Sequence, residues 1–349
     1  MAAWPLGATR VISYCNRDRG GSAIRAALRT GENVPLLPLE SVLEIAACPA
    51  CRSPLTADAD DLTCSACGRR FVHVDGSGRL PVLIDADTSV VDVEHVVRAG
   101  APSVIDRSRG GRLLAPVRRL TKPRNTTAER CLRRLTDEVR GEGGGRPRVL
   151  VIGGGSVGEG AGALYEDDRI DLVAFDIYAS RHVQFIADAH RIPLADASVH
   201  GVVVQAVLEH VLEPGVVVAE IHRVLGPEGL VYADTPFMQQ VHEGAYDFTR
   251  FTESGHRHLF RWFAEVERGV VAGLGTQLRW SLDYFTRGLL RSQVAGRLVR
   301  LAFFWLSWLD GLLSTPATVD GASSVFFYGR RADTSITPMD AIRGYRGAQ

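Results

Sequence analysis

Four cysteines near the start of the chain have the residue type and spacing that suit a metal ion. Cys48 and Cys51 form one C-x-x-C pair, and after twelve intervening residues Cys64 and Cys67 form a second pair. Four thiolates in two such pairs fit a tetrahedral zinc ion, and a shell of four cysteines leaves no coordination position open for a substrate. The spacing therefore predicts a structural Zn²⁺ site, with two disulfides or free thiols as the alternatives.

A second chemical pattern is a glycine-rich turn. Gly153, Gly155 and Gly158 fit G-x-G-x-x-G directly after the apolar run 149–152, which predicts a buried strand, and residues 159–165 predict a helix. In such a strand–turn–helix unit the backbone N–H groups at the helix N-terminus face a ligand. Alone, the pattern is compatible with a dinucleotide, with another adenosine-bearing cofactor, or with a tight turn that binds nothing.

Residues at the ends of the next predicted strands fit an adenosine ligand. Asp176 lies about twenty residues beyond the glycines, where a carboxylate accepts hydrogen bonds from both ribose hydroxyls. Asp188 and Ala189 follow the third predicted strand, where a carboxylate and a backbone N–H would read adenine, and Gln205 ends the fourth. NAD and S-adenosylmethionine both carry this ribose, so Asp176 does not choose between them.

The loop after the fifth predicted strand, residues 235–252, is rich in proline, aromatic and charged residues. We predict that it faces the substrate, with His242 as a general base and with Asp247 or Arg250 orienting this base or the substrate. The alternative is a structural lid in which Asp247 and Arg250 form a salt bridge. His210, after the fourth strand, is predicted to lie at a helix start, where its side chain either points into the cleft or, in the preferred interpretation, has a capping or packing role.

The elements that must position these residues alternate along the chain from residue 148 onward. Helices are predicted over 126–139 and 214–225, and short apolar runs predict strands at 149–152, 170–177, 182–187, 201–205, 230–233 and 324–329. Such alternation is typical of a doubly wound, mostly parallel α/β sheet whose strand ends share one ligand-binding edge.

The segment CPACRSPL…LTCSACGRRFVHVDGSGRLPVLI resembles the Trm112-like zinc ribbon family in its cysteine positions and in its exit through DGSGRLPVL. The resemblance implies a small ribbon at residues 41–84 whose metal is structural. Such ribbons are often fused to, or partnered with, methyltransferases. The resemblance therefore favours a methyltransferase domain downstream.

That downstream domain resembles class I S-adenosylmethionine-dependent methyltransferases of the type-11 group. The glycine turn, VLEHV after the fourth strand and RVLGPEG before the fifth carry this resemblance, which covers roughly 147–260 and returns in the last strand. It implies a seven-stranded Rossmann-like sheet and S-adenosyl-L-methionine as cofactor, with Asp176 as the ribose acid and Asp188 as the adenine acid. Val151 departs from the pattern, because many members have an acid there; backbone carbonyls near Gly153 or Gln205 would then hold the methionine amino group.

The acceptor is suggested by a further resemblance. PFMQQVHEGAYDFTRFT resembles a loop of methyltransferases found with glycan and cell-envelope pathways, which implies O-methylation of a small-molecule, glycan or lipid-linked acceptor. An rRNA (guanine) methyltransferase is the first alternative, because a four-cysteine ribbon also precedes such domains. Forty basic against forty acidic residues and a single lysine speak against nucleic acid. A non-catalytic cofactor-binding scaffold is the second alternative, which Val151 keeps open.

Residues 281–313 predict a helical insertion before the last strand, with apolar residues at helical spacing and arginines among them. This composition suits a membrane surface or a lipid-linked acceptor. The preferred alternative is a helical cap buried on the domain or in a homodimer through 285–313.

The expected organisation has five segments. They are an N-terminal extension (1–40), the zinc ribbon (41–84), a linker with helices (85–146), the methyltransferase domain (147–331, with the insertion at about 275–316) and a C-terminal tail (332–349). No secretory signal is recognised, and no apolar run reaches the about 18 residues that a membrane span needs. We therefore expect a cytoplasmic protein, compatible with peripheral contact at the inner membrane surface.

Overall fold

A computed structural model describes residues 36–58, 61–75, 79–99, 124–141 and 144–349. Most of the predicted N-terminal extension and residues 100–123 of the predicted linker lie outside these ranges. The α-helices are α1 (Leu39–Leu43), α2 (Val93–Ala99), α3 (Thr126–Glu138), α4 (Gly162–Glu166), α5 (Pro214–Val224), α6 (Glu253–Leu259), α7 (Leu274–Leu290), α8 (Gln293–Ala302), α9 (Pro316–Asp320) and α10 (Pro338–Arg343). The strands are β1 (Leu55–Asp58), β2 (Asp61–Cys64), β3 (Arg70–Phe71), β4 (His73–Asp75), β5 (Arg79–Leu83), β6 (Arg148–Ile152), β7 (Asp171–Asp176), β8 (Phe185–Ala187), β9 (Val199–Gln205), β10 (Leu225–Pro236), β11 (Phe263–Ala272) and β12 (Ser324–Arg331).

In the described part of the chain, nine strands form one sheet in the order β11-β12-β10-β9-β6-β7-β8-β5-β4. Strands β8, β7, β6, β9 and β10 run parallel to one another, and β12 lies antiparallel between β10 and β11. The predicted doubly wound α/β fold is confirmed. Its parallel strands read as continuous apolar runs because both faces of the sheet are covered, and Val149, Val173 and Val203 are at most 1% exposed.

The sheet is wider than predicted because two strands from the ribbon exit join it. Strand β5 pairs in parallel with β8, placing Val82 beside Ile186 and Leu83 beside Ala187, and β4 pairs antiparallel with β5. The sequence pattern places these strands in the ribbon, and that assignment is wrong. Apolar alternation identifies a strand, whereas its neighbour is chosen by contacts between residues far apart in the sequence.

The ribbon itself is a three-stranded sheet, β1-β2-β3, and it packs on the following domain. The Ala47 N–H donates to the Pro193 carbonyl at 3.0 Å, and the Ala195 N–H donates to the Ile45 carbonyl at 2.8 Å. Leu62 of the ribbon belongs to the same buried apolar cluster as the central strands. The ribbon and the large sheet therefore share one core.

The insertion between β11 and β12 is helical, as predicted, but it is not a single helix. Arg291 adopts a left-handed φ of 50°, which ends α7, and the Ser292 hydroxyl accepts the Ala295 N–H at 3.2 Å to begin α8. A 3₁₀ helix, Phe304–Gly311, follows. No helix in the described ranges combines the length and apolar character needed to cross a membrane.

Many apolar side chains of the insertion face outward rather than into the domain. Leu298 is 61% exposed, Leu312 is 80% exposed, and Phe285 and Leu289 are exposed to a similar degree. The interpretation as a cap buried on the domain is therefore wrong for these residues, and the insertion presents a broad apolar surface.

Candidate active site

A large cleft opens where the parallel strands end. It is lined by the glycine turn after β6 and by residues that follow β7, β8, β9 and β10, as expected for an α/β sheet. Its volume is about 2230 Å³, whereas a single small-molecule site typically has about 300–1,000 Å³. The cleft therefore has room for a cofactor and an acceptor side by side.

The glycine turn allows close packing that a side chain would prevent. Gly153 has a φ of 76°, and a Cβ there would lie 2.3 Å from Val207. A Cβ on Gly155 would lie 2.6 Å from the carboxylate of Asp176, and one on Gly158 would lie 2.4 Å from the amide of Gln205. All three predicted glycines are thus required for the turn to approach the neighbouring strand ends.

The predicted ribose and adenine acids both lie in the cleft. The Gly155 N–H donates to Oδ2 of Asp176 at 2.8 Å, which fixes this carboxylate at the end of β7 beside the turn. Asp188 ends β8; its Oδ1 accepts the His190 N–H at 2.9 Å, and its Oδ2 accepts the Ser89 hydroxyl. Ala189 also lines the cleft. Ser89 follows the ribbon exit, so the segment after the ribbon forms one wall of the site.

Gln205 contacts a buried carboxyl group, that of Asp234, where β9 and β10 lie side by side. Asp234 is the register partner of Gln205 on the adjacent strand, and its Oδ2 accepts the Gln205 amide and the Tyr232 hydroxyl, each at 3.0 Å. Burial raises the pKa of Asp234, and these hydrogen bonds oppose that shift. Among the described residues no donor reaches its Oδ1, so this oxygen is available to a ligand in the cleft.

Glu209 is a buried acidic residue that lines the cleft beside the loop after β10. Its side chain is 1% exposed, and neither of its oxygens has a hydrogen-bond partner in the described structure. Burial raises its pKa to about 8. Nε2 of His210 and Nε2 of His242 lie 3.5 Å and 3.9 Å from its Oε1. The predicted base, His242, is therefore part of a cluster of three side chains.

The backbone after β9 turns this cluster into the cleft. Ala206 has a φ of 51°, and its N–H donates to the Asp234 carbonyl at 3.0 Å, so the chain turns sharply at the strand end. The Glu209 carbonyl accepts the Phe248 N–H at 2.8 Å, which ties this turn to the loop after β10. No helix begins at His210, because α5 begins at Pro214. The interpretation of His210 as a residue at a helix start is wrong.

Asp247 and Arg250 organise the loop that carries His242. Arg250 forms a bidentate salt bridge with Asp247 and donates to the Gln239 carbonyl at 2.9 Å. Burial alone would raise the pKa of Asp247, but Arg250 and the His242 N–H lower it to about 2. Oδ2 of Asp247 lies 3.3 Å from Nδ1 of His242. The salt bridge of the predicted structural lid is present, and the same carboxylate faces the predicted base.

The four ribbon cysteines converge as their spacing predicts. Sγ of Cys48 lies 3.7 Å from Sγ of Cys67, Sγ of Cys51 lies 3.4 Å from Sγ of Cys64, and all four sulfurs lie within 4.8 Å of one another. Zinc–sulfur bonds of about 2.3 Å in a tetrahedron separate the sulfurs by about 3.8 Å. The cluster is compatible with the structural zinc ion predicted from the sequence.

Comparison with known families identifies both regions. Residues 156–233 match the family described as methyltransferase domain, of type 11, and residues 40–76 match the family described as Trm112p-like protein. The chain carries a class I methyltransferase domain and a Trm112-like ribbon. The predicted cofactor, S-adenosylmethionine, follows from this domain, and the chain is an S-adenosylmethionine-dependent methyltransferase. No curated protein matches it.

Solved structures match part of the chain at low sequence identity and low TM-score. The [4+2]-cyclase SpnF is 17% identical (59% of this chain, 82% of that chain, TM-score 0.36). A complex of the Haloferax volcanii Trm112 methyltransferase activator with a methyltransferase is 19% identical (59% of this chain, 89% of that chain, TM-score 0.39). A phosphoethanolamine N-methyltransferase from Haemonchus contortus is 14% identical (60% of this chain, 53% of that chain, TM-score 0.38). At these scores the likeness does not indicate which acceptor this methyltransferase uses.

Asp176→Ala is expected to weaken S-adenosylmethionine binding by more than about tenfold, since a hydrogen bond to a charged group contributes about 1.5–3 kcal/mol. Calorimetric titration of the purified protein measures the affinity. Asp168→Ala removes an exposed carboxylate outside the cleft and serves as the control. An Asp176→Ala protein with wild-type affinity would contradict the ribose assignment.

Sequence reasoning missed three contributors to this site. The sequence pattern assigns no role to Glu209 or Asp234, and it places the wall from Ser89 onward in a linker. Acidic residues after apolar runs at 209 and 234 were the available signal. These acidic residues are candidate site residues because they are buried, and their burial depends on the packing of two loops.

Proposed function

We propose that this methyltransferase transfers a methyl group to a hydroxyl oxygen of a small-molecule, glycan or lipid-linked acceptor. The observation that carries the proposal is the cluster of Glu209, His210 and His242 in the cleft, where Nε2 of His210 and Nε2 of His242 lie 3.5 Å and 3.9 Å from Oε1 of Glu209. A hydroxyl must lose its proton when its oxygen is methylated. An imidazole or a carboxylate beside the hydroxyl can accept this proton as a general base.

Each part of the cleft has a role in this proposal. The glycine turn, Asp176, Asp188 and Ala189 hold the adenosine part of the cofactor, and Asp234 with Gln205 faces its methionine amino group. S-adenosylmethionine supplies the methyl group when bound. His242 faces the acceptor hydroxyl, oriented through its Nδ1 by Asp247. The residues contribute mainly alignment, because an in-line displacement requires the oxygen, the methyl carbon and the sulfur to lie on one line.

The insertion favours an acceptor with a lipid portion. Trp308 and Leu313 line the cleft, and they are also 53% and 37% exposed on the apolar surface of the insertion. Gln240 of the acceptor loop donates to the Ser281 hydroxyl of α7 at 3.2 Å, so the two segments are in contact. A lipid chain held on this surface would bring its polar head to the part of the cleft that is lined by Glu209, His210 and His242.

The acceptor class can be tested with methyl-labelled S-adenosylmethionine. Extract of the host is incubated with the label and the full-length protein, then separated into RNA, protein, lipid and small-molecule fractions. We expect protein-dependent label in the lipid or small-molecule fraction, as an ether methyl group that resists mild alkali. Label confined to RNA would contradict the proposal in favour of the rRNA alternative, and absence of transfer would favour the non-catalytic scaffold.

A further inference from the structure

Two imidazole rings and one carboxyl group converge in the cleft at Glu209, His210 and His242. Nδ1 of His210 lies 2.7 Å from the Tyr246 carbonyl, and Nδ1 of His242 lies 3.3 Å from the Asp247 carboxylate. These partners are hydrogen-bond acceptors, so each ring can donate its Nδ1–H to them and keep Nε2 as a ligand atom. Nε2 of His210 and Nε2 of His242 lie 3.5 Å and 3.9 Å from Oε1 of Glu209.

The buried carboxyl group of Glu209 is the least satisfied member of this cluster. Burying such a group without a partner is unfavourable, and both Glu209 oxygens are buried without a hydrogen bond in the described structure. A cation between the three side chains would satisfy all of them. We infer that Glu209, His210 and His242 bind a divalent transition-metal ion, separate from the zinc ion of the ribbon.

The geometry agrees with metal ligation. One ligand atom from each of the three residues lies within 4.8 Å of the others, and tetrahedral zinc with bonds of about 2.0–2.2 Å separates such atoms by about 3.3 Å. The observed 3.5 Å and 3.9 Å separations need to close by only a few tenths of an ångström. Two imidazoles with one carboxylate suit zinc, iron or nickel rather than magnesium or calcium, which prefer oxygen ligands.

The surroundings of the cluster resemble those of known metal sites. A histidine that binds a metal through one nitrogen usually donates its other N–H to a carbonyl or a carboxylate. His210 has the Tyr246 carbonyl in this position, and His242 has Asp247. The described residues supply three protein ligands. With this set at least one coordination position is open, which is typical of a catalytic site and not of a structural one.

The role of this ion rests on the proposed function: it would activate the acceptor hydroxyl. The hydroxyl oxygen takes the open position, the ion lowers its pKa, and the proton passes to water. The oxygen then forms a bond to the methyl carbon while the carbon–sulfur bond breaks and its electron pair goes to sulfur. In this case His242 binds the ion, and the ion, instead of the imidazole, activates the acceptor hydroxyl.

The test counts metal ions in the full-length protein without any acceptor. Protein equilibrated with Zn²⁺ and freed of excess metal is expected to hold a second zinc ion beyond that of the ribbon. Glu209→Gln and His210→Ala should each bind this second ion at least about tenfold more weakly, while Glu213→Gln, an exposed carboxylate outside the cleft, should match the wild type. Circular dichroism checks that each variant is folded.

Two results would overturn the inference: a wild type that holds the ribbon ion alone, or a Glu209→Gln protein that retains the second ion. Anomalous scattering from a zinc-loaded crystal locates the ion independently, at the three side chains if the inference holds. Metal counting involves no acceptor, so its failure leaves the labelling experiment unaffected. Failure of the labelling experiment likewise leaves the metal count intact.

Discussion

Replacing His242 with alanine is expected to lower the methylation rate by about a hundredfold or more, because a positioned proton acceptor typically contributes about 10²–10⁴-fold. The imidazole is oriented by Asp247 and faces Glu209 inside the cleft. It lies in the acceptor loop rather than in the glycine turn, so the affinity for S-adenosylmethionine should stay within about twofold of the wild type. Initial rates with the acceptor found by labelling, together with calorimetric titration of the cofactor, measure the two quantities.

The matched control is His258→Ala, which removes an exposed imidazole of α6 that does not line the cleft. Its rate should equal that of the wild type. A His242→Ala protein with an unchanged rate would show that the side chain neither accepts the proton nor binds a catalytic ion. A rate loss that accompanies an equal loss of cofactor affinity would instead indicate a distorted cleft.

Cys48→Ser is expected to abolish zinc binding by the ribbon and to destabilise the whole domain. Structural zinc contributes about 10–16 kcal/mol in isolated zinc-finger peptides. Even a net loss of about 4 kcal/mol would lower the melting temperature by on the order of 10 °C in a domain of this size. Because β5 belongs to the large sheet and Ser89 contacts Asp188, cofactor affinity should fall together with stability.

Thermal unfolding, zinc content and cofactor titration of the same samples test this prediction. Cys131→Ala is the control, since Cys131 is buried in α3 away from the sulfur cluster. It should keep the ribbon zinc ion. A metal-free Cys48→Ser protein with wild-type cofactor affinity would mean that the ribbon and the cleft are energetically independent.

The sequence predicts the centre of the fold better than its margins. Strands such as β6 and β9 are covered on both faces, so their apolar runs are unbroken and easily recognised. Strand β11, not located from the sequence, lies at the sheet margin, and Glu265, Glu267 and Arg268 interrupt its pattern. Strands with one partner and partial burial carry a mixed sequence that resembles a loop.

The same distinction holds for the cleft. Gly153, Gly155 and Asp176 lie within one strand–turn–helix–strand unit, so their spacing along the chain is enough to predict that they meet. The contact of Glu209 with His242 joins two loops that are far apart in sequence. Spacing carries no information about such a contact, and only the packing of the loop after β9 against the loop after β10 creates it.

Strand β5 also protects the sheet from other copies of the chain. Without it, β8 would be the outermost strand, and its apolar residues Phe185, Ile186 and Ala187 would sit beside a row of unpaired N–H and C=O groups. An exposed apolar strand of this kind is a template for pairing between molecules and for aggregation. With β5 and β4 in place, the outermost strand on this side is the three-residue β4, whose length limits intermolecular pairing. The segment that follows the ribbon thus limits pairing between copies of the methyltransferase domain and also completes its sheet.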